Sequence, residues 1–86
     1  MPWRVEFSAS AVRVLAKLDK QPRLRLLRYL EARVIQNPRK LGAALKGDQR
    51  AWKYRVGDYR LICDLRDATH TLYVVKVGHR REIYRD

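Results

Sequence analysis

Three basic side chains on neighbouring predicted strands are the residues of this sequence best suited to chemistry. The segment 52–64 alternates apolar and basic residues on either side of Gly57-Asp58, a pattern typical of a β-hairpin with a two-residue turn. This turn pairs position 55 with position 60, so Arg55 lies opposite Arg60 and Lys53 lies on the same face. Because like charges placed opposite each other destabilise a sheet, we expect an anion, in particular a phosphate, between them.

The chain that follows the last predicted strand brings further candidates to this face. Arg60 is expected to pair with either Val77 or Gly78, and the sequence leaves both registers open. In either register the chain leaves the strand beside Arg60. The residues expected to converge there are His79, Arg80 and Arg81, with Tyr84 close behind.

Such a set of side chains suits the cleavage of RNA by attack of its own 2′-OH on the adjacent phosphate. This reaction needs a base, cations for the transition state and an acid for the leaving 5′-oxygen, but no metal and no protein nucleophile. Lys53 is the candidate base, since cationic neighbours disfavour its charged form. Arg55 and Arg60 are candidate phosphate ligands because a guanidinium matches phosphate oxygens.

The candidates for the general acid, and for a side chain that stacks on an RNA base, lie after the last predicted strand. Arg80 or His79 would stand near the leaving oxygen, and histidine titrates in a useful range. Tyr84 could stack on an unpaired base. Each residue also has a simpler interpretation: His79 as a turn residue, Tyr84 as a ring packed against the sheet edge, and Lys53 with Arg55 as a solvated strand face.

The composition favours nucleic acid, a ribosome or an acidic protein as the partner. The net charge is +11, from 20 Lys and Arg against 9 Asp and Glu. The alternative is a basic surface that only keeps the protein soluble. The single cysteine, Cys63, reads as a buried residue, and the two histidines lie far apart in sequence, so we expect no metal and no other cofactor.

Localisation is inferred from what the sequence lacks. No apolar run is long enough to cross a bilayer, and the N-terminus shows no signal peptide. We therefore expect a cytoplasmic protein that does not associate with a membrane.

The candidate residues must be positioned by the predicted helices and strands, and their order indicates a single α+β domain over residues 1–86. The expected order is β-α-α-β-β-β: a strand over 3–7, a helix from Ser8 to about Leu18, a helix from about Pro22 to Asn37, the hairpin, and a strand over 71–77. Residues 39–49 are expected to form a loop. The N-terminal strand and an antiparallel helical hairpin should pack on one face of a small twisted antiparallel sheet, leaving the basic face open.

Two motifs of the chain resemble the RelE/ParE superfamily of bacterial toxin-antitoxin systems, most closely its RelE branch. They are Trp52–Leu61 (WKYRVGDYRL) and Val77–Arg85 (VGHRREIYR), supported by Leu45-Lys46-Gly47. The resemblance implies a toxin that is a metal-independent endoribonuclease, enters the A site of the 30S ribosomal subunit and cuts mRNA there. It also implies a cognate antitoxin, through which the pair would bind operator DNA.

The resemblance further implies a role for each candidate residue. By position, Lys53 would be the general base, Arg55 the second basic residue and Arg60 the residue that stabilises the phosphate. Arg80 would protonate the leaving group, and Tyr84 would stack on the mRNA base. His79 stands where other members often have lysine, which could move the acid role onto it. The basic helices are candidates for contact with the rRNA backbone, through Arg23, Arg25, Arg28 and Arg33.

Two other functions remain open. One is a ParE-like inhibitor of DNA gyrase without nuclease activity, and the other is a non-catalytic module that binds RNA. ParE-like proteins usually lack the combined set of Lys53, Arg60, Arg80 and Tyr84. Its presence here favours the nuclease.

Overall fold

The computed structural model describes residues 2–83, apart from the side chain of Asp48, and shows two helices on a five-stranded mixed sheet. The elements are β1 (Arg4–Phe7), α1 (Ala9–Lys17), α2 (Lys20–Ala32), a 3-10 turn (Val34–Gln36), β2 (Ala43–Leu45), β3 (Asp48–Val56), β4 (Tyr59–Arg66), a second 3-10 turn (Asp67–Thr69) and β5 (Thr71–His79). The strand order is β1-β5-β4-β3-β2. The predicted α+β class is confirmed.

The two helices cover one face of the sheet, and α1 begins where the sequence indicates. Helix α2 begins at Lys20, before the predicted Pro22, and ends at Ala32, before the predicted Asn37, because the chain continues as the 3-10 turn Val34–Gln36. The Ser8 hydroxyl accepts a hydrogen bond from the Ala11 N–H at 3.0 Å, which caps α1. Helix α1 packs on β5 and β1, and α2 packs on β3. Leu26 and Leu30 of α2 are buried, as expected for residues four apart on one helix face. No helix within residues 2–83 is long and apolar enough to cross a membrane.

The central hairpin has the predicted register. Val56 pairs with Tyr59, Arg55 with Arg60, Tyr54 with Leu61 and Lys53 with Ile62. The residues between the basic ones point towards the helices and form the core, among them Tyr54, Val56, Leu61, Cys63 and Leu65. The other face of β3 and β4 is not covered by either helix. Alternation along the strands therefore separates an apolar face from a basic one.

The sheet differs from the expected one in two respects. Strand β1 pairs with β5 in parallel, Arg4 with Thr71 through Phe7 with Val74, so the sheet is mixed and not wholly antiparallel. Since β1 joins the last strand instead of its neighbour in sequence, no hairpin turn forces an antiparallel direction. The predicted loop also contains β2, which pairs with β3 through an irregularity between Ala44 and Leu45.

Strand β5 adopts one of the two expected registers and adds a bulge. Arg60 pairs with Gly78, and Ile62 pairs with Lys76. The next pair is Cys63 with Val74, which leaves Val75 as an extra residue in β5. Lys76 lies on the same face as Arg60, two residues from Gly78, and the bulge before it allows Val74 and Val77 both to face the core.

Candidate active site

A groove on the open face of the sheet is lined by the three central basic residues, Lys53, Arg55 and Arg60. Its volume is about 430 Å³, and Gly42, Ala43 and Tyr54 form the rest of its lining. We call it the basic groove. The hairpin register brings these cations together, because positions 55 and 60 are directly paired and position 53 lies two residues along the same face.

The two arginines of the groove carry charge that no described carboxylate neutralises. Nη1 of Arg60 donates to the carbonyl oxygens of Gly57 at 3.1 Å and Tyr59 at 3.0 Å, which holds the guanidinium at the hairpin turn. Its Nε and Nη2 donate no hydrogen bond to any residue among 2–83. The side chain of Arg55 is exposed and forms neither a hydrogen bond nor an ion pair with another described residue. The groove is therefore prepared to receive an anion.

The wall of the groove opposite β4 is held by buried hydrogen bonds. The Tyr54 hydroxyl donates to the Pro38 carbonyl oxygen at 2.6 Å, and Nε1 of Trp52 donates to the Leu41 carbonyl oxygen at 2.7 Å. Burial raises the pKa of Tyr54, so the phenol stays protonated and remains a donor. Trp52 and Tyr54 thus anchor the segment before β2 to the core.

Asp64 lies on the basic face but serves other arginines. Its Oδ2 accepts from Nη2 of Arg50 at 3.0 Å and from Nε of Arg66 at 2.9 Å. Burial raises the pKa of Asp64, but the hydrogen bonds from Arg66 and Arg50 outweigh this and lower it overall. Arg66 also lies over the ring of Tyr73, at 5.0 Å from its centroid. Asp64 therefore neutralises Arg50 and Arg66 and is directed away from Arg55 and Arg60.

The residues after Gly78 are not all brought to the groove. Arg80 is at the same end of the sheet, where its N–H donates to the Asp58 carbonyl oxygen at 2.7 Å and its Nε lies 3.6 Å from Asp58 Oδ1. Arg80 does not line the groove, and neither does the exposed Arg81. The expected position of Tyr84 falls outside the described residues.

His79 lies on the other face of the sheet. It pairs with Tyr59, and the two rings form an edge-to-face contact with centroids 5.7 Å apart. Tyr59 packs against the core under the helices. The expectation that His79 converges with Arg60 on one surface is wrong, because Gly78 takes the place opposite Arg60 and the next residue of a strand points to the opposite face.

Two residues near the groove were missed at the sequence level. Lys76 shares the face of Arg60 because it lies two residues from Gly78, and the bulge at Val75 lets Val74 and Val77 both face the core, which an apolar run does not reveal. Ile83 is 4% exposed although it stands in a charged segment. A Cβ added to Gly78 would lie 2.8 Å from Ile83 Cδ1, so Ile83 covers the glycine that faces Arg60. An isolated apolar residue five positions after a strand glycine was the available signal.

The arginines proposed for rRNA contact occupy different places on the helical side. Arg25 and Arg28 line a second cavity of about 460 Å³ between α2 and the hairpin turn. Arg23 donates to the carbonyl oxygen of Leu18 at 3.3 Å, and Arg33 is exposed after the end of α2. Arg25 and Arg28 thus form one basic site, which the other two do not join.

Among the described residues, neither the cysteine thiol nor a group of metal-binding side chains offers a second reactive site. Burial raises the pKa of the Cys63 thiol, which stays protonated. Within residues 2–83, no three side chains of His, Cys, Asp or Glu are grouped closely enough to hold a metal ion.

The sequence and the fold match one group of known proteins. The family model of the ParE toxin of type II toxin-antitoxin systems (parDE) matches residues 5–84. The chain belongs to this toxin family. The protein named Toxin RelE from Mycobacterium tuberculosis is 27% identical over 85 residues, which cover 98% of this chain and 88% of that protein. Toxin RelG from the same organism is 29% identical over 86 residues, covering 99% of each.

Solved structures agree with these relatives. A chain of the RelBE2 toxin-antitoxin complex from M. tuberculosis superposes with a TM-score of 0.85 at 26% identity, covering 93% of this chain and 100% of that one. A mutant of E. coli toxin RelE in the free state gives 0.82 at 26% identity, covering 98% and 92%. The resemblance to the RelE branch is confirmed, and the chain is a RelE-type toxin of a toxin-antitoxin system.

Within this RelE-type toxin, the two motifs that carry the resemblance meet in space. The first supplies Lys53, Arg55 and Arg60, and the second supplies Gly78, directly opposite Arg60. The segment from Arg80 to Ile83 returns to the same end of the sheet. The basic groove is therefore the place where the family motifs adjoin.

Proposed function

We propose that this RelE-type toxin is an mRNA endoribonuclease that acts in the A site of the ribosome and thereby inhibits translation. The observation that carries the proposal is the pairing of Arg55 with Arg60 beside Lys53, in a groove where neither arginine has a carboxylate partner among the described residues. Like charges are costly to place opposite each other. A phosphodiester bound between them would remove that cost.

The reaction follows from these groups. Lys53 takes the proton of a ribose 2′-OH, whose oxygen then forms a bond to the adjacent phosphorus. The bond from phosphorus to the 5′-oxygen breaks and this oxygen takes a proton from the general acid, Arg80, which leaves a 2′,3′-cyclic phosphate and a 5′-hydroxyl. Arg55 and Arg60 stabilise the negative charge that develops on the phosphate oxygens, and Nε and Nη2 of Arg60 are the donors available for this.

Arg80 is assigned to the leaving 5′-oxygen. Its side chain is 52% exposed and is held by one ion pair to Asp58, whose side chain is 63% exposed. Exposed ion pairs of this kind are weak, so a phosphate in the groove can compete for the guanidinium. Tyr84 is assigned to stacking on the mRNA base. Lys76, which shares the groove face, is a further candidate contact to the RNA backbone.

The charge of the chain and the complexes of its relatives support the proposed partners. A net charge of +11 suits the ribosomal A site and mRNA, with Arg25 and Arg28 as contacts to rRNA phosphates. RelE of E. coli and of M. tuberculosis are described in complexes with an antitoxin. A cognate antitoxin that covers the basic face would neutralise this toxin in the cytoplasm and bind operator DNA on behalf of the pair.

The test is primer extension on an mRNA translated by programmed ribosomes, with Arg60→Ala as the site variant. The unmodified toxin should give discrete cuts within the reading frame, and Arg60→Ala should cut more slowly by on the order of 100-fold. The matched control is Arg13→Ala, which removes the same charge from an exposed position of α1. Equal loss in both variants, or cuts unaffected by Arg60→Ala, would rule out the groove as the active site.

Two further measurements separate the alternatives. The double variant Lys53→Met with Arg80→Ala should still bind ribosomes while cleavage disappears, whereas a pure RNA-binding module would show no cleavage in the unmodified chain. DNA supercoiling by gyrase should be unaffected by the toxin. Inhibition of supercoiling without mRNA cleavage would instead support a ParE-like activity.

A further inference from the structure

The last four described residues form a turn whose backbone N–H groups all have acceptors. We call residues 80–83 the C-terminal turn. The N–H of Arg80 donates to the Asp58 carbonyl oxygen at 2.7 Å. The other three N–H groups all depend on one residue, because the carbonyl oxygen of His79 accepts from Glu82 and Ile83 at 2.9 Å each and its Nδ1 accepts from Arg81 at 3.2 Å.

The imidazole of His79 is held where its Nδ1 accepts this hydrogen bond, and it does not face the groove. Its ring stands edge-to-face against Tyr59, which is packed on the core. An acceptor at Nδ1 carries no proton there, so the neutral ring has its proton on Nε2. The bond from Nδ1 to the N–H two residues ahead has the form of an Asx-turn, which asparagine side chains commonly make.

A second contact fixes the same turn on the opposite side of the sheet. Ile83 is 4% exposed but is separate from the core under the helices. It covers Gly78, where an added Cβ would approach Ile83 Cδ1 to 2.8 Å. Because Gly78 pairs with Arg60, this contact brings the C-terminal turn to the groove side of the sheet. The C-terminal turn is thus held on both faces of the sheet, by hydrogen bonds to His79 on one face and by the contact of Ile83 with Gly78 on the other.

We propose that His79 is a positioning residue for RNA cleavage: its Nδ1 caps the C-terminal turn and, together with the contact of Ile83 on Gly78, presents Arg80 and Arg81 beside Arg60. The inference rests on the proposed nuclease function and deepens it. It also decides between the two candidates for the leaving group, since an imidazole on the far face with Nδ1 engaged is not the proton donor. The group near the leaving oxygen is then Arg80.

The test compares three substitutions of His79 by their effect on amide exchange and on cleavage. His79→Asn keeps an acceptor at the place of Nδ1, whereas His79→Gln moves its polar atoms one bond further out and His79→Ala removes them. Hydrogen exchange at the Arg81 amide is followed by NMR, and cleavage by primer extension with programmed ribosomes. His79→Asn should keep protection and cleavage within about twofold, while the other two variants should each lose about fivefold in protection and at least as much in cleavage.

The proposal is overturned if His79→Asn loses cleavage as fully as His79→Ala while exchange at Arg81 stays slow, since the imidazole would then act in the chemistry itself. Unchanged exchange and cleavage in all three variants would equally contradict it. If the alanine variant does not fold, His79→Asn is compared with His79→Gln alone, because these two side chains differ by only one methylene. Should the unmodified toxin cut no mRNA, the proposed function fails, and exchange at Arg81 alone still decides whether His79 caps the turn.

Gly78→Ala gives an independent check that leaves His79 intact. The new methyl group must displace the end of Ile83, so we expect cleavage to fall severalfold while the Arg81 amide stays protected. Full cleavage with Ile83 displaced, as seen from its methyl resonances, would show that the seat on Gly78 does not position the arginines.

Discussion

Replacing Gly42 with alanine is expected to destabilise the fold and to distort the basic groove at once. Gly42 lines the groove just before β2, with a backbone φ of +66°. A Cβ at this position would lie 2.2 Å from the Lys53 carbonyl oxygen and 2.7 Å from Cδ1 of Tyr54. Since a backbone oxygen cannot turn aside as a flexible side chain can, the segment before β2 must move away from β3.

The magnitude can be separated into two parts with a matched variant. Gly47 also has a positive φ, +79°, but a Cβ there would meet no heavy atom within 4 Å. Gly47→Ala therefore incurs only the cost of the left-handed backbone, about 1–2 kcal/mol. Gly42→Ala incurs the same cost and, in addition, about 1–3 kcal/mol for the steric displacement, giving about 2–5 kcal/mol in all.

The assay is urea denaturation of both variants, followed by primer extension on those that fold. We expect the free energy of unfolding to fall further in Gly42→Ala than in Gly47→Ala by about 1–3 kcal/mol, which is about 4–24 °C in melting temperature for a domain of this size. Cleavage should fall in Gly42→Ala alone, because only that change moves the wall beside Lys53. Equal destabilisation by the two variants would refute the close approach of Gly42 to β3.

Three further outcomes follow from contacts described above. Tyr54→Phe leaves the buried Pro38 carbonyl oxygen without its donor and should cost about 1–3 kcal/mol in thermal unfolding; a melting temperature within error of the unmodified protein would contradict this. The pKa of Asp64 is lower in the folded protein than in the unfolded chain, where it is about 3.9. The ionised carboxylate therefore stabilises the fold above the unfolded pKa, and this stabilisation is lost as the pH falls through the folded pKa. Asp64→Asn should accordingly flatten the fall of stability below about pH 4, measured by urea midpoints, and an unchanged slope would argue against it. Arg28→Ala should reduce the slope of log affinity for ribosomes against log salt by about 0.7–0.9, whereas Arg13→Ala should leave that slope as it is.

The hairpin was predictable to the residue because two local rules agree there. A two-residue turn at Gly57-Asp58 fixes the pairing, and the alternation of apolar and basic residues fixes the faces. The grouping of Lys53, Arg55 and Arg60 in one groove follows from these rules alone. Ser8 and the start of α1 were equally accessible, since capping is a local interaction.

What escaped prediction depends on partners distant in the chain. The face of His79 is set by whether Arg60 meets Val77 or Gly78, and neither sequence pattern nor turn geometry chooses between these registers. The bulge at Val75 is a feature of the pairing of β5 with β4, and the sequence of β5 alone does not show it. Strand β2 is only three residues long and shows no alternation, so its conformation comes from pairing with β3.

The parallel pairing of β1 with β5 has a consequence for biosynthesis. The first strand of the chain finds its partner only in the last, with Arg4 beside Thr71, and β5 also separates β1 from β4. Closing so long a segment of chain is slow and cannot begin before the partner exists. While a ribosome is still translating the middle of the message, the nascent polypeptide lacks the strand that completes its sheet. A product interrupted before Thr71 would have neither a closed core nor Gly78 beside Arg60, and premature termination should therefore yield a harmless fragment.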